Sequence, residues 1–267
     1  MTTPIFIFFL GIVFVESFVL SMFGQGGGSV LVPIMIAFGM AFHDASTTSL
    51  FVLTVTGISS LWVFARSKTV DWKLAIVIDP ITDILAFITG YYAIKVSGSL
   101  LKIVFAIVMI ISSYFMIKQP PIQEKGSQRK RRFGFWHRKF GDYEYDANLL
   151  AAFPICAIMG VLAGLLGISC GILKVPLLVL LCGVPIKVAV ATSSFMVTLT
   201  GLGGFLGHSL SQAIDWKFVI MTAAVGFIAG QLGPRVSLKI DKVLLKKLFG
   251  YLLILISIWM IYNALTA

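Results

Sequence analysis

The sequence predicts an all-α polytopic membrane protein of two inverted repeats with glycine-broken helices, about 5+5 segments of which two are short half-helices. Three observations predict it: a composition too apolar for water, a motif register that recurs across the chain, and basic loops that change sides between the halves. Of 267 residues, 58% are hydrophobic and only 12% charged, with a mean hydropathy of +1.00. Ordinary soluble domains carry about 25% charged residues. A chain this poor in polar groups cannot cover a globule in water, and it reads as membrane-embedded.

Apolar segments run over 4–23, 29–41, 45–65, 72–94 and 100–117, then 147–168, 171–183, 186–208, 216–234 and 243–262. Eight are long enough, at about 1.5 Å per residue, to cross about 30 Å of hydrocarbon. The short pair, 29–41 and 171–183, would reach only about 20 Å as helices, and each follows a glycine break. Residues 4–23 lack a basic leader and are long enough to span, so they read as a first span rather than a cleavable signal. Three cysteines without a CxxC argue against a disulfide framework or a zinc site.

The second set copies the first. At an offset of 143, Gly24, Gly28, Val32 and Pro33 match Gly167, Gly171, Val175 and Pro176. At 144, Thr48, Ser49, Thr54, Thr56 and Gly57 match Thr192, Ser193, Thr198, Thr200 and Gly201, and Asp71-Trp72-Lys73 matches Asp215-Trp216-Lys217. The chain therefore divides into a first transmembrane repeat (1–118), a basic linker (119–146) and a second repeat (147–267). The linker is expected in the cytoplasm, irregular around "KGSQRKRR".

With the linker inside, helix parity puts loop 66–71 inside and loop 209–215 outside, provided each glycine-broken pair makes an even number of crossings. Loop charge agrees: 66–73 carries Arg66, Lys68 and Lys73, whereas 209–217 carries only Lys217. The copies are then inverted, in the cell membrane, with both termini outside. The net charge of +10 lies mostly in the linker and short loops, so it marks topology and not a nucleic-acid partner.

A helix restarting after a break offers free N–H groups and the positive end of its dipole. Glycines let a ligand approach that backbone. Two inverted breaks would set two half-helix N-termini near the midplane, which makes an anion site. Close packing through small residues is the competing account of the glycines.

At these residues a family pattern is visible. "GQGGGSVLVP" and "GISCGILKVP", each followed by a short helix and a Thr-Ser pair, resemble the duplicated signature of the sulfite exporter TauE/SafE family. The resemblance covers nearly the whole chain. It implies a membrane carrier for sulfite or small sulfur-containing organic anions. In the second copy, Ser169, Cys170 and Lys174 stand where the family keeps a glycine run.

The expected substrate-binding residues are Gly24, Gln25, Gly26, Gly27, Gly28, Ser29, Thr48 and Ser49 from the first copy. Gly167, Ser169, Cys170, Gly171, Lys174, Thr192 and Ser193 come from the second. Lys174 would supply positive charge to the site, or else pair with an acid or snorkel to an interface. The hydroxyls would donate to substrate oxygens, or else cap helices or bond the i−4 carbonyl. Glu16 and Asp83, deep in apolar segments, are candidates for proton coupling, whereas Asp79 is expected at an interface and His208 in a structural role.

No Walker motif, dinucleotide fingerprint or HExxH occurs, so no cofactor, metal or enzymatic activity is expected. The partners expected are a small anionic substrate and the lipid bilayer, with a homodimer left open. An anion channel with the same site is the alternative, followed by a thiol/quinone redox enzyme using Cys170.

Overall fold

In the computed structural model, residues 3–28, 30–117, 134–141, 143–168, 170–211, 213–239, 251 and 254–264 are described. Ser29, Ser169 and the "KGSQRKRR" stretch lie outside the described residues. Five helices are long and apolar enough to span among the described residues: α1 (Thr3–Met22), α3 (Phe42–Arg66), α7 (Leu149–Leu166), α9 (Ile186–Ser209) and α10 (Trp216–Ser237). Between them stand two short helices, α2 (Leu31–Ala37) and α8 (Gly171–Leu180), one after each glycine break as the segment lengths predict. Helix α6 (Gly98–Ile117) and an apolar helix, α11 (Ile254–Ala264), complete the two sets.

The segment 72–94, expected as one helix, is broken. α4 (Trp72–Ile78) and α5 (Pro80–Tyr92) meet at Asp79 with a bend of 48°, and together they are long and apolar enough for a sixth, broken span. Proline has no N–H to continue the ladder and disfavours a helical residue before it, which explains the bend at Asp79-Pro80.

Helices α3 and α9 run antiparallel through the centre. Thr47 meets His208, Phe51 meets Phe205 and a Cβ on Gly57 would touch Thr198, so one number climbs as the other falls. Around them the packing is parallel. α10 follows α3, with Gly226 and Gly230 against Thr56, and α1 follows α10, from Phe6–Phe218 at one end to Ser21–Gly233 at the other. In the same way α5 follows α9, with Gly203 against Asp83 and Gly207 against Phe87, while α7 follows α5 through Gly160–Thr82 and Gly164–Thr89. The bundle is thus two trios of opposite direction, α1/α3/α10 and α5/α7/α9.

Close approach rather than side-chain bulk sets these distances. A Cβ on Gly57 would lie 2.4 Å from Thr198 Oγ1, and one on Gly201 would lie 2.9 Å from Thr54 Oγ1. The outer surface is apolar, with Phe8, Val15, Ile84, Ile107 and Ile220 exposed, as a lipid-facing helix bundle requires.

The linker carries an element its composition did not announce. Strands β1 (Phe135–Phe140) and β2 (Tyr143–Asn148) form an antiparallel hairpin docked at the end where α4, α7 and α9 begin.

The glycines divide by environment. Gly24→Ala would place a methyl 2.0 Å from the Val190 carbonyl oxygen on a backbone with φ +68°, and it is expected to destabilise the protein by about 1–3 kcal/mol. Gly11, which is exposed with nothing within 4 Å of its Cβ position, should accept alanine with a gain of about 0.5–1 kcal/mol. Thermal unfolding of the two variants in detergent checks both.

Candidate functional site

The first break is closed by the chain's own acid. Gly24, Gly26 and Gly27 hold positive φ, which lets the chain turn sharply after α1. The Gly28 N–H donates to Glu16 Oε1 at 2.9 Å, the Ser17 hydroxyl donates to Oε2 at 3.2 Å, and the Val30 amide adds a further donor. Glu16 is buried on α1 beside the turn it ties down. Ser49 donates to the Gly28 carbonyl at 3.0 Å and Ser193 to the Gly24 carbonyl at 3.1 Å, so each half contributes one hydroxyl to this break. Gln25 is buried within it.

The second break is built differently. Gly167 ends α7 in the left-handed conformation, and a Cβ there would lie 2.4 Å from that of Ser46. Cys170 takes φ 48°, close to the 43° of Gly27 at the matching position, and its thiol reaches the Met159 carbonyl at 3.4 Å. Met159 matches Glu16 at the offset of 143, so no carboxylate meets the Gly171 backbone from that position.

Lys174, one turn into α8, carries the charge. Its side chain is wholly buried; Nζ donates to Asp79 Oδ1 at 2.7 Å and to Thr200 Oγ1 at 2.6 Å. Thr200 Oγ1 in turn lies 2.7 Å from Asp83 Oδ1. Asp79 is fully buried at the α4–α5 bend, which corrects the interfacial place expected for it. Asp79 stands at the bend itself, and Asp83, in the first turn of α5, reaches the same cluster through Thr200. Two acids and one base share this spot, so it holds no surplus positive charge while both acids are ionised.

An open cleft of about 730 Å³ lies at the end of the bundle where α3 and α10 begin. Asp44, Thr47, Thr48, Asp215 and Lys217 line it together with Phe6, Phe38 and Phe218. Of the expected binding residues that are described, only Thr48 faces this cleft; the glycines of the breaks and Lys174 lie deeper, packed among helices. Thr192 is at the opposite end, where its hydroxyl accepts from the Asp71 N–H at 2.9 Å. His208 is satisfied by the Gly164 carbonyl at 2.7 Å and by Thr47, consistent with a structural role.

Sequence reasoning missed Thr200 and the pairing role of Asp79. The available signals were an Asp-Pro step inside an apolar segment and a hydroxyl in register with Thr56.

Replacing Glu16 by methionine, the residue at the matching position of the second copy, leaves the Gly28 N–H without its acceptor. A loss of about 1–3 kcal/mol is expected, against about 0.5–1.5 kcal/mol for Glu16→Gln, which keeps an acceptor oxygen. Detergent unfolding curves of the two variants measure the difference.

Residues 8–260 match the family model described as sulfite exporter TauE/SafE. A "probable membrane transporter protein" of Bacillus subtilis is 28% identical, with 92% of this chain and 93% of that one aligned. Another from Methanocaldococcus jannaschii is 27% identical over 86% and 87% of the two chains, and one from Escherichia coli 22% over 90% and 83%. No solved structure matches. The broken helices, the doubled motif and the match over nearly its whole length identify this chain as a multi-pass membrane protein of the sulfite exporter TauE/SafE family of transporters.

Proposed function

We propose that the protein is a secondary carrier that moves sulfite or a related sulfur-containing organic anion by alternating access, coupled to protons through the Lys174 cluster. The observation that carries this reading is the wholly buried Lys174–Asp79 pair with Asp83 one hydroxyl away. Charges inside a membrane are costly and mark ion pathways. Lys174 can receive an anion only when one of its two carboxylates releases it. Proton uptake by Asp79 or Asp83 does that, so substrate and proton arrive together. Glu16, already engaged with the first break, serves in this reading to hold the half-helix in place rather than to titrate.

Several features support two inverted halves that rock about this point. Matching helices α3 and α9 run antiparallel, and contacts exchange between copies: Gly57 with Thr198 and Gly201 with Thr54. Gly24 on Val190 mirrors Gly167 on Ser46, since Val190 and Ser46 are matched at the offset of 144. The hairpin end gathers Arg66, Lys68, Lys73, Arg138, Arg235 and Lys239, which favours the cytoplasmic side for the linker and the outside for both termini. In a cell membrane with a negative interior, outward movement of one negative charge gains about 2.3 kcal/mol per 100 mV, but a proton moving with a singly charged anion cancels that gain, so in this reading the substrate and proton gradients set the direction.

Proteoliposomes test the reading. Sulfite on one side should speed labelled sulfite efflux from the other, which a channel would not do. Lys174→Ala should destabilise the protein by about 3–5 kcal/mol, because it strands a buried carboxylate. Lys174→Met combined with Asp79→Leu removes both partners; it should unfold near the wild-type temperature yet lose saturable exchange at least about 100-fold, well over 2 kcal/mol at 1.36 kcal/mol per decade. Wild-type exchange by that double variant would exclude the cluster as the site. Asp83→Asn should keep exchange while losing uptake driven by a pH gradient.

A further inference from the structure

The open cleft has a counterpart at the other end of the bundle. Under the register of the duplication, Asp215 and Thr48 match Asp71 and Thr192, and Phe38, Gly39 and Met40 match Leu181, Cys182 and Gly183. Asp215 is exposed at the rim of the cleft, whereas Asp71 has no exposed surface. The difference is the hairpin, which covers Asp71, while no such element covers Asp215 among the described residues. Arg138 grips Asp71 through Nε at 3.2 Å and a terminal nitrogen at 2.5 Å, and the Tyr145 hydroxyl donates to the same carboxylate. The Asn148 N–H donates to the Leu181 carbonyl at 3.1 Å, and Tyr145 packs on Gly183 with 3.6 Å between their Cβ positions. Cys182 is fully buried beneath.

We propose that the 135–148 hairpin is a removable plug in the mirror image of the open cleft, latched on Asp71 by Arg138 and Tyr145, and that it withdraws when the carrier opens to that side. This rests on the alternating-access reading, in which each half adopts the other's conformation in turn. The hairpin suits the task physically. A lone two-stranded ribbon is marginal in water, so docking holds it in place. Its own cross-strand pairs, Lys139–Glu144 at 3.1 Å and His137–Asp146 at 2.7 Å, face outward and travel with it. Withdrawal must break the Asp71 latch, a few backbone contacts and the packing of Tyr145, Ala147, Trp136 and Phe140 against the core. Burial, and after it the bond to Asp71, pushes the Tyr145 phenol above its ordinary range, so it remains a donor at physiological pH.

Two measurements test the plug. First, Arg138→Ala with Tyr145→Phe should raise labelling of the native Cys182 by a membrane-impermeant maleimide, applied from the hairpin side, at least about tenfold, or about 1.4 kcal/mol of opening. Unchanged labelling overturns the latch, whatever the substrate proves to be. Second, Tyr145→Cys with Gly183→Cys sets two sulfurs on Cβ positions spaced as a disulfide requires. Oxidised protein should stop sulfite exchange and reductant should restore it. Equal exchange in both states overturns the plug while leaving the carrier reading intact; absence of exchange from the wild type refutes the carrier reading instead, with Cys182 labelling still deciding whether the latch opens.

Discussion

Hydrocarbon offers no water to a backbone N–H, and that rule shapes both glycine breaks. A helix interrupted inside the membrane must return its freed amides to the protein or pay several kcal/mol for each. At the first break the Gly28 N–H donates to a carboxylate of the preceding helix, Glu16, and the Gly28 and Gly24 carbonyls accept from hydroxyls of the two central helices, Ser49 and Ser193. Because Ser49 and Ser193 sit on α3 and α9, the break ties the two halves together. The half-helix α2 is fixed by this net, and α8 holds the matching position in the other half. Lys174 depends on that placement, since a lysine one turn into α8 reaches Asp79 only if α8 starts where it does.

The charge cluster modifies the role that a half-helix terminus alone suggests. Dipole ends and a lysine would simply attract an anion. Here Asp79 already neutralises Lys174, and Asp83 adds a second negative group through Thr200. A buried pair of this kind contributes little net stability, because desolvation offsets attraction. The pair is therefore better understood as an exchangeable ligand set than as a structural staple. An anion of the same charge and similar oxygen geometry can replace a carboxylate on Lys174 at modest net cost, provided the displaced carboxylate is neutralised at the same moment. The proposed coupling rests on that condition.

Five of the eight expected long spans, the short half-helices and the recurring register were legible in the sequence because each is a local signal: apolar length, a glycine break, a repeated motif. The opposite directions of α3 and α9 are consistent with what loop charge implied. Three features were not legible. Asp79 reads as interfacial from its place near the start of an apolar segment, and only a partner 95 residues away makes its burial tolerable. The glycines read equally as ligand approach or as packing, and the collisions a Cβ would make on Val190, Ser17 and Ser46 give much of the answer to packing. The hairpin looks like a polar linker because its strands are short and charged, and its buried side is defined by a surface on other helices.

Duplication and asymmetry together carry a thermodynamic consequence. Two identical inverted halves would make the inward-open and outward-open states mirror images of equal free energy. Every residue present in one copy alone tips that balance. Glu16 and the Lys174 cluster are such residues, their matching positions holding Met159, Leu31, Ala223 and Phe227, and among the described residues the hairpin covers one end alone. The first two lie near the middle of the bundle, where both states can use them, so their bias is limited. The hairpin acts at one end only, and all of its docking energy favours the state with that end closed. A two-state equilibrium shifts tenfold for each 1.4 kcal/mol of such difference. In the proposed cycle, a hairpin held by a bidentate arginine and a tyrosine on one buried carboxylate therefore weights the balance toward the cleft-open form over its mirror image.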